Sequence, residues 1–251
     1  MTAPLSRRTA LRRAAFIAAG TLAGSQLLAT PGHAASPTPD PAKLREAVRR
    51  AQERAQQRED HVLARTVSHN GWDMEKVADD RGNIYTRPVP GTPLDVRVRM
   101  GDVETVLVHV IRRFHYDIDA LGVRGEPRPV EGWVPPSEIR DSRSPESNLA
   151  SGTAVVVRPG SYPLGARGGF TAAEELLIRD ILADCEGVVR WGGADRRPYE
   201  GLFYLNVKPG DARLEKVAVK LRAWDGAPGQ GAGVLVDMSQ PARRRRATRA
   251  A

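Results

Sequence analysis

The residue types that could do chemistry are few and poorly matched. Beyond the first 34 residues the histidines are His61, His69, His109 and His115. His109 and His115, with Asp117 and Asp119, form the one cluster of side chains suited to metal binding or proton transfer. The two histidines are spaced neither i, i+4 nor i, i+2, so neither a helix nor a strand would aim both at one point. Ordinary polar residues beside a core helix explain the cluster as well. Ser147 and Ser151 have no histidine near them in sequence and no Gly-x-Ser-x-Gly elbow. Cys185 is the only cysteine, so no internal disulfide can form. It reads as a small buried side chain near the end of a helix.

The elements that would position these residues can be read from pattern. Asp40 as N-cap and Pro41 at the first helical position open a polar helix over about 40–65, with a thin stripe of Leu44, Val48, Ala51, Ala55 and Val62. Such a helix serves as a stalk or packs lightly on the domain. Residues 68–93 are turn-rich loops with short strands, and 94–99 alternate like a strand. Asp102 is placed to cap a helix over 103–115, where Val106, Leu107, Val110, Ile111 and Phe114 fall at helical spacing. The β-branched residues there keep a strand open as the alternative. Short strands are expected at 118–121 and 132–134. Ala154–Val157 is an apolar strand stopped by Pro159-Gly160, and Thr171 with Glu174 makes a capping box. Strands over 188–191 and 203–207 and a helix over 214–224 follow. Short strands mixed with helices, without a βαβ rhythm, predict an α+β fold with a small antiparallel sheet flanked by helices.

Two separated stretches, over roughly 132–223, carry a specific resemblance. The first runs Ser147, Leu149, Gly152, Ala154, Val156. The second holds Trp191-Gly192-Gly193 and then Pro198-Tyr199-Glu200-Gly201-Leu202-Phe203. Together they resemble the D-alanyl-D-alanine carboxypeptidase and L-alanyl-D-glutamate endopeptidase family of zinc peptidases, with the hedgehog/DD-peptidase fold. That family's first motif is Ser-x-His-x-x-Gly-x-Ala-x-Asp. Its second places an acid, two residues, a histidine and a phenylalanine after Trp-Gly-Gly. The framework residues Ser147, Gly152, Ala154, Trp191, Gly192, Gly193, Pro198 and Phe203 match. The positions that the resemblance assigns to zinc hold Leu149, Val156 and Leu202, and Tyr199 stands where the general base would be.

Catalytic zinc needs three protein ligands and an open site for water, and leucine and valine have no lone pairs to offer. Tyrosine, with an ordinary pKa near 10, is no base at neutral pH. The resemblance therefore implies a peptidase-like pseudoenzyme with no metal and no cofactor. It would bind a peptidoglycan stem peptide or a cell-envelope protein in a groove. Ser151, Arg158, Trp191 and Glu200 are the candidate groove residues; framework packing and surface charge are the plainer explanation of Arg158, Trp191 and Glu200. Alternation along a strand would point Glu200 away from the face of Tyr199. The alternative is an active secreted peptidoglycan peptidase with other ligands.

At 251 residues the chain can be one domain with appendages. Residues 1–34 read as a twin-arginine export signal: Arg7 and Arg8 precede an apolar stretch over 14–29, with cleavage after Ala34. An uncleaved anchor is the alternative reading, although Gly20, Gly24, Ser25 and Gln26 make the stretch short and weakly apolar for a span. A linker and polar helix over 35–67, a domain over 68–226 and a disordered Gly- and Arg-rich tail over 227–251 complete the expected order. The net charge is +8, but nine arginines of the leader and tail account for it, and without them the remainder is about −1. A nucleic-acid binder should carry its charge on the folded surface, so no nucleic-acid partner is expected. The tail either leans on anionic polymers outside the cell or is simply solvated. The reading is an exported, cell-wall-associated protein with no stable membrane anchor after cleavage.

Overall fold

The computed structural model describes residues 40–250, apart from 124 and 235. The expected export signal and most of the expected linker lie outside the described residues. The chain divides into two units, 1–54 and 55–251. Helix α1 (Pro41–Val62) spans both. In the first unit Asp40 caps it through Ala42 N–H at 2.9 Å, and Leu44 and Val48 are exposed. The helix stops three residues short of the expected end. Leu63–Val67 leaves it as strand β1 and pairs antiparallel with β2 (Asp73–Glu75). Arg65, at φ 59, marks the bulge between them.

The second unit has three antiparallel sheets: β1-β2, then β3 (Ile84–Pro88) with β4 (Asp95–Arg99), then a four-stranded sheet. The last is ordered β5 (Val130–Glu131), β6 (Ala154–Val157), β8 (Leu202–Leu205) and β7 (Val189–Trp191). Helices α2 (Asp102–Asp117), α3 (Ala172–Asp184), α4 (Ala212–Asp225) and α5 (Pro241–Arg249) complete it. The architecture is α+β, as the pattern predicts.

Period-two alternation makes β6 and β8 the centre of the fold. Val155, Val157, Phe203 and Leu205 face the main core. There they meet α2, whose buried stripe is Val106, Leu107, Val110, Ile111 and Phe114. Phe114 stands edge-on to Phe203 and to Phe170, with centroids 6.4 and 5.9 Å apart. The helix thus displaces the strand alternative for this segment. The other face of the same two strands carries Ala154, Val156, Leu202 and Tyr204 in a second, smaller cluster. All eight residues of β6 and β8 are buried. A strand covered on both faces reads as an unbroken apolar run, which is why 154–157 shows no alternation in sequence.

Several expectations differ in detail. Gly101, at φ 87, precedes α2 instead of an Asp102 cap, and Asp102 pairs with Arg222 at 2.7 Å. No strand forms at 118–121, because the amides of Ile118 and Asp119 both close on Phe114 O and Leu121 N–H donates to His115 Nδ1. The strand expected at 132–134 is Val130–Glu131. Beyond it Trp133 N–H donates to Arg97 O of β4 at 2.7 Å, over a glycine, Gly132, whose added Cβ would meet that oxygen at 2.2 Å. The capping box at α3 forms as expected: Thr171 Oγ1 accepts from Glu174 N–H, and the Glu174 carboxylate accepts from Thr171 N–H.

The tail departs most from expectation. Residues 241–249 are a helix against α3, with Ala247 fully buried, and not a disordered run. Its Arg243 and Arg246 meet Asp180 and Asp184, four residues apart on α3. Read by itself a run of arginines repels itself; two buried carboxylates on one helix face remove that repulsion.

Candidate functional site

The smaller cluster contains the positions singled out in sequence. Leu149, Val156 and Leu202 pack together with Ala154 and Tyr204, and part-buried Val134 and Tyr199 border them. Val156 and Leu202 are direct partners across β6 and β8. Leu149 comes from the 3-10 turn Pro145–Leu149. That turn is held by hydrogen bonds to residues about 80 positions earlier in the chain. Ser147 Oγ accepts from His69 N–H at 2.8 Å, and Asn148 Oδ1 accepts from Asn70 N–H at 3.1 Å. Gly152 then takes φ 67, and a Cβ there would meet Arg99 N at 2.8 Å.

The glycines of the second stretch are close-approach positions. A Cβ on Gly192 would meet Tyr199 O at 2.7 Å and Leu202 Cβ at 3.0 Å, and one on Gly201 would meet Val157 O at 2.5 Å. The turn 199–201 can therefore lie flat against β6, which places Tyr199 beside Leu202 and Val156. Burial, reinforced by the nearby charges of Glu131 and Glu146, pushes the Tyr199 hydroxyl up to about 12. It stays protonated at neutral pH and cannot serve as a base. Tyr204 turns its hydroxyl to Asp195 at 2.9 Å.

These residues do not fit zinc. Leu149, Val156 and Leu202 supply no donor atom, and among the described residues no three His, Cys, Asp or Glu side chains could hold a metal. What the arrangement makes is a buried apolar cluster with part-buried Tyr199 and Val134 at its border. The Glu146 carboxylate adds an oxygen, Oε2, that is buried without a partner among the described residues.

The other candidates lie elsewhere and are committed to internal contacts. Ser151 is fully buried, accepting from Ser68 Oγ at 2.9 Å and donating to Asn148 O at 3.0 Å. Arg158 pairs with Asp119 and with Glu126, and donates to Ala120 O. Trp191 donates its indole N–H to Glu200 O at 2.6 Å. Glu200, buried and turned away from the face of Tyr199, accepts from Gly168 and Gly169 N–H at 2.7 and 2.8 Å. Those bonds draw the loop 162–170 over Trp191, with Phe170 edge-on to it at 6.1 Å. The chain's own loop therefore fills the space at Trp191 and Glu200.

The histidine–aspartate cluster is dispersed. His109 meets Asp184, His115 accepts from Leu121 N–H, Asp117 pairs with Arg113, and Asp119 with Arg158. Burial depresses the His115 pKa against the opposing pull of the Leu121 bond.

Sequence reasoning missed the most enclosed ionic group. Arg113, on the inner face of α2, is bonded to Asp117, Asp180 and Asp184. Burial would lower its pKa, but the three carboxylates raise it. Burial also pushes Asp184 up, yet the bond from His109 and the charges of Arg113 and Arg246 outweigh it and bring it to about 2. The available signal was spacing: His109 with Arg113, and Asp180 with Asp184, are both i, i+4 pairs on apolar helices. Cys185 is buried beside them, and burial pushes its thiol up to about 12.

No helix among the described residues is long and apolar enough to cross a membrane. Compared with protein-family models, curated proteins and solved structures, the chain matches none.

Proposed function

We propose that this chain is an exported, non-catalytic relative of the peptidoglycan zinc peptidases that binds a stem peptide or an envelope protein without cleaving it. One observation carries the reading. Leu149, Val156 and Leu202, which come from two stretches separated by about 50 residues, meet in one apolar cluster with Tyr199 at its border. The positions to which the resemblance gives ligands and a base are the ones that lie together there. Each full burial stabilises by about 1.5–3 kcal/mol, so the cluster contributes to the stability of the fold without a metal. The border carries Tyr199 with the carboxylates of Glu131 and Glu146 nearby. An aromatic edge with acidic neighbours suits a peptide bearing an amine.

The test is co-sedimentation of the purified protein with cell-wall peptidoglycan, together with titration of a soluble stem peptide. Binding without loss of the peptide, weakened by Tyr199→Ala, is the expected result. Hydrolysis accompanied by stoichiometric zinc would establish the active peptidase instead, and no binding at all would remove this reading.

A further inference from the structure

A second site lies on the opposite side of the main core, in a cleft of about 290 Å³ whose lining includes His109, Arg113, Asp184, Trp224, Arg243 and Arg246. We propose that this cleft binds a small oxyanion that still carries a proton, namely phosphate or a phosphate monoester.

The argument rests on hydrogen-bond direction. His109 is 2% exposed, and its Nε2 lies 3.2 Å from Asp184 Oδ2. An ionised carboxylate can only accept, so Nε2 carries a proton, and in the neutral ring Nδ1 then keeps a lone pair. That Nδ1 is buried and has no partner among the described residues. Buried polar atoms are nearly always satisfied, and an exception points to a missing water, ion or ligand. The arginines, both partly exposed, offer donors. Arg243 spends Nε and Nη2 on Asp180, and Arg246 spends Nη2 on Asp180 and Asp184. Arg243 Nη1 and Arg246 Nε and Nη1 make no bond among the described residues. A ligand that engages the neutral ring and the arginines together donates to His109 and accepts from the arginines.

Phosphate near neutral pH does both, through its P–OH and its charged oxygens. Sulfate has the charge and shape but no proton to donate. The tilted indole of Trp224, 6.3 Å from His109, offers an apolar wall for an ester group. Around the cleft Asp117, Asp180 and Asp184 are matched by Arg113, Arg243 and Arg246. Net charge therefore attracts an anion only weakly, and the donor and acceptor pattern sets selectivity.

The experiment follows the Trp224 indole N–H signal of the full chain by NMR, assigned with Trp224→Phe, during titration with inorganic phosphate and with sulfate at pH 7 and matched ionic strength. Phosphate should saturate the signal at concentrations about tenfold or more below sulfate, the scale of one hydrogen bond to a charged group. Arg243→Gln with Arg246→Gln should weaken both anions alike. His109→Leu should bring their affinities together. The comparison in the unaltered protein decides even if His109→Leu does not fold. A ratio near one, no saturable shift, or an unchanged ratio in folded His109→Leu would overturn the proposal. Phenyl phosphate distinguishes the sources: tighter binding than phosphate assigns the cleft to a monoester, weaker binding to the free anion.

Discussion

Asp184→Asn removes one charge from the ionic group between α2, α3 and α5 while keeping the side chain's shape. Asp184 is 2% exposed and takes bonds from His109, Arg113 and Arg246. Its carboxyl falls from the ordinary 3.8 to about 2. One unit corresponds to about 1.4 kcal/mol, so the ionised form contributes about 2 kcal/mol to folding. The sign follows from the depressed folded value. This stability is present above the unfolded pKa and is lost as pH falls through the folded one. Urea unfolding of parent and variant should therefore differ by about 2–3 kcal/mol at pH 7. About half of that difference should remain at pH 3, and almost none once both carboxyl forms are protonated. A difference that stays constant from pH 7 to pH 3 would refute the assignment of Asp184 as an ionised, paired group, and with it the tautomer of His109.

Two other outcomes test separate parts of the account. Glu200→Ala removes the two bonds by which a buried carboxylate holds the amides of the exposed Gly168 and Gly169, so it should lower stability by about 1–2 kcal/mol in thermal or urea unfolding. Amide exchange should quicken in the loop 162–170, and equal exchange rates would count against the loop's being held this way. Arg7→Lys with Arg8→Lys should leave the protein inside the cell by fractionation, and unchanged export of that variant would end the twin-arginine reading.

How far the sequence could be read depended on the range of the forces involved. The Thr171–Glu174 capping box, the α2 stripe and the Ala154–Val157 run are set by neighbours a few residues away, and each forms where its pattern lies. The meeting of Leu149, Val156 and Leu202 was legible only because two spaced motifs named the residues together. Contacts chosen by the whole chain were not legible. Nothing local ties Ser68 and Asn70 to Ser151 and Thr153, yet their bonds of 2.9 Å lock the turn that supports Leu149. Glu200 read as a groove acid because its partners, two backbone amides some 30 residues earlier, have no side-chain signature. The tail read as a charged run because Asp180 and Asp184 lie about 60 residues before the arginines they hold.

The most direct measurement restores the four positions at once. Leu149→His, Val156→Asp, Tyr199→Asp and Leu202→His would put three ligands and a base where the apolar cluster now packs. Without metal the variant should be less stable than the parent, because polar groups then occupy a site buried on both sides. Zinc should recover that stability in a concentration-dependent way, raising the midpoint of thermal unfolding as a ligand of the folded state must. The parent should show no such response. A variant that folds as well as the parent, with a midpoint indifferent to zinc, would contradict the claim that these residues stand at a converted metal site.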